Sequence, residues 1–419
     1  MRRRRLLFLS ALTLAVGMLA ACSSSKSSSS ATTAAPATTA ASSGSSAPSS
    51  PTTAAASGAP GDFAKAHYTT SLSGICPNPL VVQSDWLPEA DHGYLWQLIG
   101  GGGTESQYVY QGPLGSTGIN LEILAGGPGL GNGVSQPSSL YVGNLVKRVT
   151  PDLTFESTDD AIQYSKQFPT TQVFGNYQKS PQIIIFDPSK YKISTLADLK
   201  SAVSNGAKIY VTSATFSYVR WLVGQGIPSS AFIGGYAGDL EKFVGGGGSV
   251  LNQGYSTNEV WTLEHSTTAW DKPVGYVYVA DLGFKFYQSA LTVATNKLQS
   301  LGPCLQKLIP LMQHALVDYV HNPTEVNTVI ADYNNKGLGA AFWHTPADLN
   351  NAATQIMLND KLVVPPSGPV GTFDTATLQG LIDSLVPIFK SAGTSTLNPN
   401  VTPADIATNQ FLDTSITMS

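Results

Sequence analysis

The sequence predicts an α/β chain with two lobes, and three observations lead to this prediction. Short apolar runs alternate with helical segments through the middle of the chain, a pattern typical of parallel strands joined by right-handed crossovers. The part with a globular composition, residues 61–419, is longer than a single hydrophobic core usually supports. From Ala290 onward the chain reads as mostly helical, so helices are expected to complete the first lobe.

The N-terminus has the pattern of an export signal. Residues 2–5 are four arginines, and the apolar run Leu6–Ala21 that follows is too short for a comfortable membrane span. The small residues before Cys22 resemble a bacterial lipobox, in which the chain is cut before the cysteine and the sulfur carries a lipid. We therefore expect a lipoprotein signal peptide over residues 1–21 and a lipid on Cys22. The alternative is an ordinary signal peptide with an incidental cysteine.

Residues 22–60 form a low-complexity segment. After Cys22 they are almost entirely Ser, Thr, Ala, Pro and Gly, and Lys26 is the one charged residue among them. Such a composition cannot bury a core, so we expect a disordered tether. The lipid and the tether together would hold the globular part just outside a membrane.

The charge balance argues against nucleic-acid binding. Removing the four arginines of the signal from the 23 basic residues leaves 19, against 27 acidic residues. Arg148 and Arg220 are then the remaining arginines. Because a nucleic-acid surface needs clustered Lys and Arg, we expect no nucleic-acid partner.

Two cysteines remain after Cys22 is assigned to the lipid. Cys76 and Cys304 belong to a chain that is expected to leave the cytoplasm, where a disulfide can persist. We expect a disulfide between them. Two separate buried thiols are the alternative.

The first lobe is expected to be built on short strands. A turn that carries Trp86 follows the first strand, and a helix with acids in its first turn follows the third, with Ser157 or Thr158 as its N-cap. The predicted strands up to the first passage between the lobes are 79–83, 119–124, 152–155 and 172–177. This first part of the lobe is assigned to residues 61–175.

The second lobe is assigned to residues 176–258, where strands and helices alternate most regularly. Gly and Pro at 224–228 are expected to end one of its helices. The elements predicted for this lobe are strand 182–186, helices beginning near 194, 213 and 239, strand 207–211 and a strand that leads into Tyr255.

The remainder of lobe 1 and a set of C-terminal helices are assigned to residues 259–419. The residues Asn322–Glu325 have the form of a capping box, and Thr345–Asp348 repeats the pattern. One later helix carries an apolar stripe, which is typical of a core-facing helix. The stripe consists of Leu378, Leu381, Ile382, Leu385, Ile388 and Phe389.

A cluster of polar side chains follows the strand at Val250–Leu251. Tyr255 offers a ring face and a hydroxyl, the next three residues offer neutral donors and acceptors, and Glu259 offers a charge. A few polar groups beside an aromatic wall are typical of a small-molecule cleft. A polar turn between two elements is the alternative interpretation.

The order of several short motifs resembles that of a known family. The motifs are Trp86 with His92–Tyr94, then Ser180–Pro181, then Thr195–Lys200, and finally Gln253–Glu259. In this order, behind a lipobox, they resemble the thiamine-precursor-type solute-binding proteins of ABC transporters, a family close to the nitrate, sulfonate and taurine binding proteins. The resemblance covers roughly residues 79–390.

The resemblance implies a type II periplasmic-binding-protein fold, in which two α/β lobes are joined by two crossover strands and hold a ligand between them. The crossovers are expected near residues 172–186 and 250–262. One departure concerns the run Gly245–Gly248, which stands where the family often has a glycine followed closely by an aspartate. The part of the hinge that depends on this aspartate in the family is therefore not assigned to any residue of this sequence.

The resemblance also implies the ligand-binding positions. We expect them at strand ends, helix starts and the crossovers. They are Trp86, His92, Tyr94, Ser157, Thr158, Ser180, Ser213, Thr215, Phe216, Tyr255, Asn258 and Glu259.

No catalytic motif emerges from the sequence. It contains neither a Gly-x-Ser-x-Gly elbow nor a His-Glu-x-x-His pair, and its glycine runs lack the lysine of a phosphate loop. We therefore expect a monomeric binding protein with no cofactor and no metal, which delivers its ligand to an ABC permease. A pyrimidine-synthase-like enzyme and a surface signalling module on the same fold are the alternatives.

The ligand class follows from the side chains available. The scarcity of arginine disfavours an arginine-clamped oxyanion, although helix N-termini could hold one. The rings of Trp86, Tyr94, Phe216 and Tyr255 suit a flat ligand, and Glu259 suits a ring amine. A thiamine pyrimidine precursor or another nitrogen heterocycle is therefore the first expectation, and a sulfonate- or nitrate-type anion is the second.

Overall fold

The computed structural model of the chain describes residues 60–418. The signal peptide, Cys22 and the tether predicted from the sequence lie outside this part, except for Pro60. None of the helices between residues 60 and 418 is both long and apolar enough to cross a membrane.

The strands of the described part form two sheets. They are β1 (Leu80–Gln83), β2 (Thr104–Ser106), β3 (Val109–Pro113), β4 (Asn120–Leu124), β5 (Leu153–Glu156), β6 (Thr170–Phe174), β7 (Gln182–Phe186), β8 (Lys208–Tyr210), β9 (Phe232–Ile233), β10 (Val250–Tyr255), β11 (Gly275–Tyr278) and β12 (Ala290–Ala294).

Helices lie between these strands and dominate the C-terminal part. They are α1 (Pro60–His67), α2 (Gly93–Ile99), α3 (Gln136–Val142), α4 (Thr158–Gln163), α5 (Leu196–Ser204), α6 (Ser217–Gly224), α7 (Glu241–Gly245), α8 (Glu259–Trp261), α9 (Leu298–His321), α10 (Thr324–Asn335), α11 (Ala347–Asn359), α12 (Thr375–Ser391) and α13 (Pro403–Ile406).

Each sheet is the centre of one lobe. The first has the strand order β2-β3-β4-β1-β5-β12-β6, in which β1 is parallel to β4 and β5, and β12 is antiparallel to β5 and β6. The second has the order β11-β7-β10-β8-β9, in which β10 is parallel to β8 and antiparallel to β7. The predicted α/β fold of the type II periplasmic-binding class is thus confirmed, with two lobes and an antiparallel strand inserted in the first sheet.

The chain passes twice between the two sheets. The first passage, residues 175–181, lies where the sequence placed it, but the second is residues 279–289 and not 250–262. The expected second crossover strand is instead β10, a central strand of the second sheet. That sheet also extends beyond residue 258 to β11, because β11 pairs with β7 along its edge. Lys179 and Asp281 join the two passages by an ion pair of 2.8 Å.

The strand β12 corrects the expectation of a helical region from Ala290. Its five residues are all buried, because the strand lies between β5 and β6 in the middle of the first sheet. The capping box expected at residues 322–325 is also absent. Asn322 caps the C-terminus of α9, and Pro323 precedes α10 without any side-chain cap hydrogen bond.

Two large clusters of buried apolar side chains make up most of the hydrophobic core. The larger packs α9, α2 and α10 against the first sheet and includes Trp96, Tyr110 and Tyr333, whose rings are in mutual contact. The second packs the second sheet together with α4, α6 and α12. The apolar stripe of α12 lies in this cluster, with Ile388 packed at its margin.

A disulfide and a glycine-rich turn complete the frame. Cys76 and Cys304 are joined by a disulfide, with their Cα atoms 4.8 Å apart, so the segment before β1 is linked to α9. The glycine run after α7 forms the turn into β10, where Gly247 and Gly248 have positive φ angles of 57° and 74°. This turn belongs to the second lobe and lies outside both passages between the sheets.

Candidate functional site

A cavity of about 560 Å³ is lined by loops of both lobes. On the first lobe its walls follow the ends of β1, β4 and β5. On the second they follow β8, β9 and β10. The volume is in the range of small-molecule sites, and the ends of strands in open α/β sheets are where ligands usually bind.

Two neighbouring strands of the first sheet bring polar groups to this cavity. Asp85 and Trp86 follow β1 directly, and Asp159 and Asp160 stand in the first turn of α4, directly after β5. Because β1 and β5 are parallel and adjacent, their following residues meet at one edge of the sheet. Gly127, with φ of +54°, lies under the indole of Trp86, where an added Cβ would approach the ring to 3.0 Å.

On the second lobe, Glu259 fixes the turn after β10. One of its carboxylate oxygens accepts a hydrogen bond from the hydroxyl of Tyr236, and the other accepts one from the backbone N–H of Tyr255 at 2.7 Å. Gly254 allows this folding back, because a Cβ there would lie 2.6 Å from Ile185 and 3.3 Å from Glu259. The polar stretch at the end of β10 is therefore a rigid wall of the cavity.

The lining is strongly acidic. Six of the residues that line the cavity carry carboxylates, and none of the lining residues is Lys or Arg. His92 is the one basic side chain in the lining. The carboxylates are those of Asp85, Glu89, Asp91, Asp159, Asp160 and Glu259.

Asp85 is held ionised by its neighbours. Its carboxylate pairs with Nε2 of His92 at 2.5 Å and accepts a hydrogen bond from the hydroxyl of Ser289 at 2.5 Å. Burial alone would raise the pKa of Asp85, but His92 and Ser289 outweigh it and hold the pKa below its usual value. The cavity wall therefore contains a carboxylate whose ionised form is stabilised by its neighbours.

For the other carboxylates, burial outweighs any neighbouring group that stabilises the ionised form. Burial, followed by the charges of Asp91, Asp85 and Glu259, raises the pKa of Glu89 well above its usual value. Burial also raises the pKa of Asp91 to about 6, against the opposing effect of His92. These groups share protons when the cavity holds no cation, and a positive ligand would favour their ionised forms.

The pair at the start of α4 behaves in the same way. Burial raises the pKa of Asp160 to about 8, and the neighbouring charges of Asp159 and Asp85 add to the effect. Burial also raises the pKa of Asp159, although a hydrogen bond with Ser217 opposes it. Both acids come to the cavity on the first lobe and face Ser217 on the second.

Aromatic side chains form the remaining wall. Trp86 and Trp343 contact each other edge to face, with ring centroids 5.9 Å apart. Trp86 is 36% exposed and Phe216 is 39% exposed, so both present ring surface at the cavity. Aromatic faces beside carboxylates suit an organic cation, because both attract positive charge.

Eight of the twelve positions expected from the sequence line this cavity. These are Trp86, His92, Ser157, Thr215, Phe216, Tyr255, Asn258 and Glu259. The pair Trp86 and Tyr255 thus lies on opposite lobes of one cavity.

The other four positions lie elsewhere. Tyr94 is in the core of the first lobe, edge to face with Phe155 and Phe174, because all seven residues of α2 are buried. Thr158 is fully buried and donates to the backbone oxygen of Tyr287. Ser180 is buried in the first passage, where its hydroxyl accepts a hydrogen bond from the N–H of Gln182. Ser213 does not line the cavity, but its hydroxyl contacts that of Thr215, which does.

Sequence reasoning missed most of the acids. Glu89 precedes the single turn Ala90–His92 and Asp91 lies within it, and no periodic pattern in the sequence marks this turn. Asp159 and Asp160 were interpreted as helix N-terminal acids, although their position after a parallel strand was a signal for a site. Within residues 60–418, no group of three or more His, Cys, Asp or Glu residues is arranged to hold a metal ion.

Solved structures that resemble this chain share little sequence with it. The ligand-binding component of an ABC-type import system from Staphylococcus aureus, with zinc bound, is 11% identical and covers 81% of this chain and 99% of its own, with a TM-score of 0.48. The alkanesulfonate-binding protein from Xanthomonas axonopodis pv. citri, bound to MOPS, is 11% identical and covers 80% and 100%, with a TM-score of 0.47. A Candida albicans protein with the generic periplasmic binding protein fold is 15% identical and covers 78% and 97%, with a TM-score of 0.43.

No protein-family model matches the sequence, and no curated protein matches it. With identities of 15% or less and TM-scores below 0.5, these structures carry no information about the ligand. The strand order of the two sheets establishes the fold independently of them.

Replacing Trp86 by alanine is expected to weaken ligand binding about 10- to 100-fold, because stacking and buried area are lost together, about 1–3 kcal/mol. Titration calorimetry against the ligand that copurifies with the protein measures this. The variant Trp261→Ala is the matched control, since that indole stacks on His265 and does not line the cavity. Equal affinities for the two variants would place the ligand away from Trp86.

Proposed function

We propose that the chain is the extracytoplasmic solute-binding component of an ABC importer and that it captures a small organic cation between its two lobes. One observation carries the proposal: six carboxylates and no Lys or Arg line a cavity of ligand size. A cation would pair with acids whose pKa values are raised, first by burial and then by the negative charges of their neighbours. The surrounding aromatic rings favour a flat or alkylated cation.

An amino-bearing nitrogen heterocycle, such as a thiamine pyrimidine precursor, is the first candidate within this class. Its ring would stack on Trp86 or Tyr255, and its amine would reach Glu89, Asp91 or Glu259. The same acids oppose a sulfonate, because an anion would keep them protonated and would find His92 already paired with Asp85.

The test is to identify the ligand directly. Native mass spectrometry of the purified protein, followed by calorimetry with the released compound, gives its mass and charge. A ligand that is positive at neutral pH supports the proposal. A sulfonate or another anion that binds tightly in this cavity contradicts it, and turnover of the compound would favour the enzyme alternative.

Ligand affinity is expected to rise with pH. Asp91 and Asp160, whose pKa values burial raises to about 6 and about 8, are neutral below those values and attract a cation only when ionised. Affinity should therefore increase up to about tenfold per pH unit for each proton released, between about pH 5 and 8. Calorimetry in two buffers of different ionisation enthalpy measures the protons released. An affinity that falls over this interval would contradict a cationic ligand.

The proposal includes membrane anchoring through Cys22, which lies outside the described residues. The lipobox and the low-complexity segment that follows it support this part. A Cys22→Ala variant is expected to appear in the soluble extracytoplasmic fraction of its producing cell. A variant that remains with the membrane at the wild-type level would contradict the anchor.

A further inference from the structure

The acids of the cavity fall into two clusters on different elements. The first acidic cluster is Glu89, Asp91 and Glu259, and the second acidic cluster is Asp159 and Asp160. We propose that the ligand carries two separated positive groups, one at each acidic cluster, so that it is an organic dication such as an α,ω-diamine. This inference rests on the function proposed above.

The first acidic cluster is shared between the lobes. Glu89 precedes the turn before α2 on the first lobe and Asp91 lies within it, whereas Glu259 begins α8 on the second lobe. Thr257 donates to Asp91 at 3.3 Å and ties the two sides together. Because Tyr236 and the backbone of Tyr255 fix the carboxylate of Glu259, a positive group would meet a preorganised site here.

The second acidic cluster also faces the other lobe. Asp159 and Asp160 lie opposite Thr215, Phe216 and Ser217 at the start of α6. A helix N-terminus explains the presence of acids in the first turn of α4. It does not explain why an oxygen of Asp159 is buried with no hydrogen-bond partner among the described residues. An ammonium group at this end of the cavity would satisfy that oxygen.

Besides the two acidic clusters, the side chain of His92 also presents a polar atom without a hydrogen-bond partner in the described part of the chain. His92 is 2% exposed and lines the cavity, and its Nδ1 has no hydrogen-bond partner within residues 60–418. Its Nε2 is occupied by Asp85, whose charge raises the pKa values of both Glu89 and Asp160. Asp85 therefore lies within electrostatic range of both clusters.

Two clusters of like charge favour two cations over one. A single ammonium group at the first acidic cluster would leave Asp159 and Asp160 without a positive partner, so the protonated form of this pair would remain favoured. A second positive group on the same molecule would neutralise them without a further loss of translational freedom. Aromatic rings that line the same cavity, such as Trp86 and Phe216, would offer contacts to the apolar link of the ligand.

The experiment compares straight-chain α,ω-diamines with the monoamines of the same chain length, by calorimetry on the mature protein at about pH 8. We expect the best diamine to bind about 10- to 100-fold more tightly than its monoamine, since each charge-assisted hydrogen bond contributes on this scale. Asp160→Asn and Glu89→Gln should each reduce this ratio towards one. Asp332→Asn, an exposed acid on α10, should leave it unchanged.

The possible outcomes separate this inference from the proposed function. A monoamine that binds as tightly as every diamine would overturn the dication while leaving a cation binder in place. If no amine of either kind binds and a sulfonate does, the proposed function itself is wrong. Thermal melting of each variant shows whether it is still folded, so that a smaller ratio of diamine to monoamine affinity is not mistaken for unfolding. If both cavity variants are folded and this ratio is unchanged, the dication proposal is also overturned.

Discussion

The Asp85→Asn variant is expected to lose about 100-fold in affinity for an organic cation, the largest effect of a single substitution in the cavity. Among the acids that line the cavity, Asp85 is the one whose pKa lies below its usual value, so its carboxylate is the most readily ionised of the six. Asparagine removes that charge and also leaves His92 without its charged partner. Calorimetry measures the affinity, and thermal melting measures the accompanying loss of stability.

Asp187→Asn is the matched control for this result. Asp187 is a buried carboxylate that pairs with Lys272 at 2.7 Å, but it belongs to the second lobe and does not line the cavity. Its loss should lower stability and leave cation affinity within about threefold of the wild type. If both variants bind equally well, Asp85 is not a ligand-binding charge.

Removing the disulfide between Cys76 and Cys304 is expected to lower the free energy of unfolding by about 2–5 kcal/mol. The bond closes a loop over a sequence separation of 228 residues, and long loops lose the most entropy in the unfolded chain. Both cysteines are buried, at 9% and 1% exposure, so their replacement also disturbs packing against α9. Urea unfolding of a Cys76→Ala, Cys304→Ala variant measures the loss.

Reduction provides an independent check of the disulfide. Dithiothreitol should destabilise the wild-type chain and leave the double alanine variant unchanged, while ligand affinity is retained in both. A wild-type chain with unchanged stability in reductant would show that the bond does not contribute to folding.

Much of the frame could be predicted from the sequence because it depends on local patterns. The strand 182–186 was placed correctly from its apolar run, and the stripe of α12 was correctly interpreted as core. Trp86 and Tyr255 could be assigned to one cavity because each lies at the end of a strand, and each lobe presents strand ends to the cavity between the two sheets.

The features that the sequence could not predict depend on contacts between elements that are far apart in the chain. Ala290–Ala294 resembles a helix start in composition, and only insertion between β5 and β6 makes it a strand. Tyr94 was expected at the ligand because it belongs to the motif His92–Tyr94 that resembles the family, yet α2 packs against α9 and directs Tyr94 into the core. The acidity of the cavity has the same origin, since its six carboxylates come from three segments that are far apart in the chain, at residues 85–91, 159–160 and 259.

The position of β12 in the first sheet has a consequence for how the molecule is made. All of the second lobe, β7 to β11, lies in the chain between β6 and β12. A chain that emerges N-terminus first can complete its second sheet from local contacts, while β5 and β6 wait with unpaired edges for β12. Strand β6 can join the first sheet only after β12 has been made, because β12 is its neighbouring strand there. Late, non-local closure of this kind exposes the first lobe to misfolding until the chain returns.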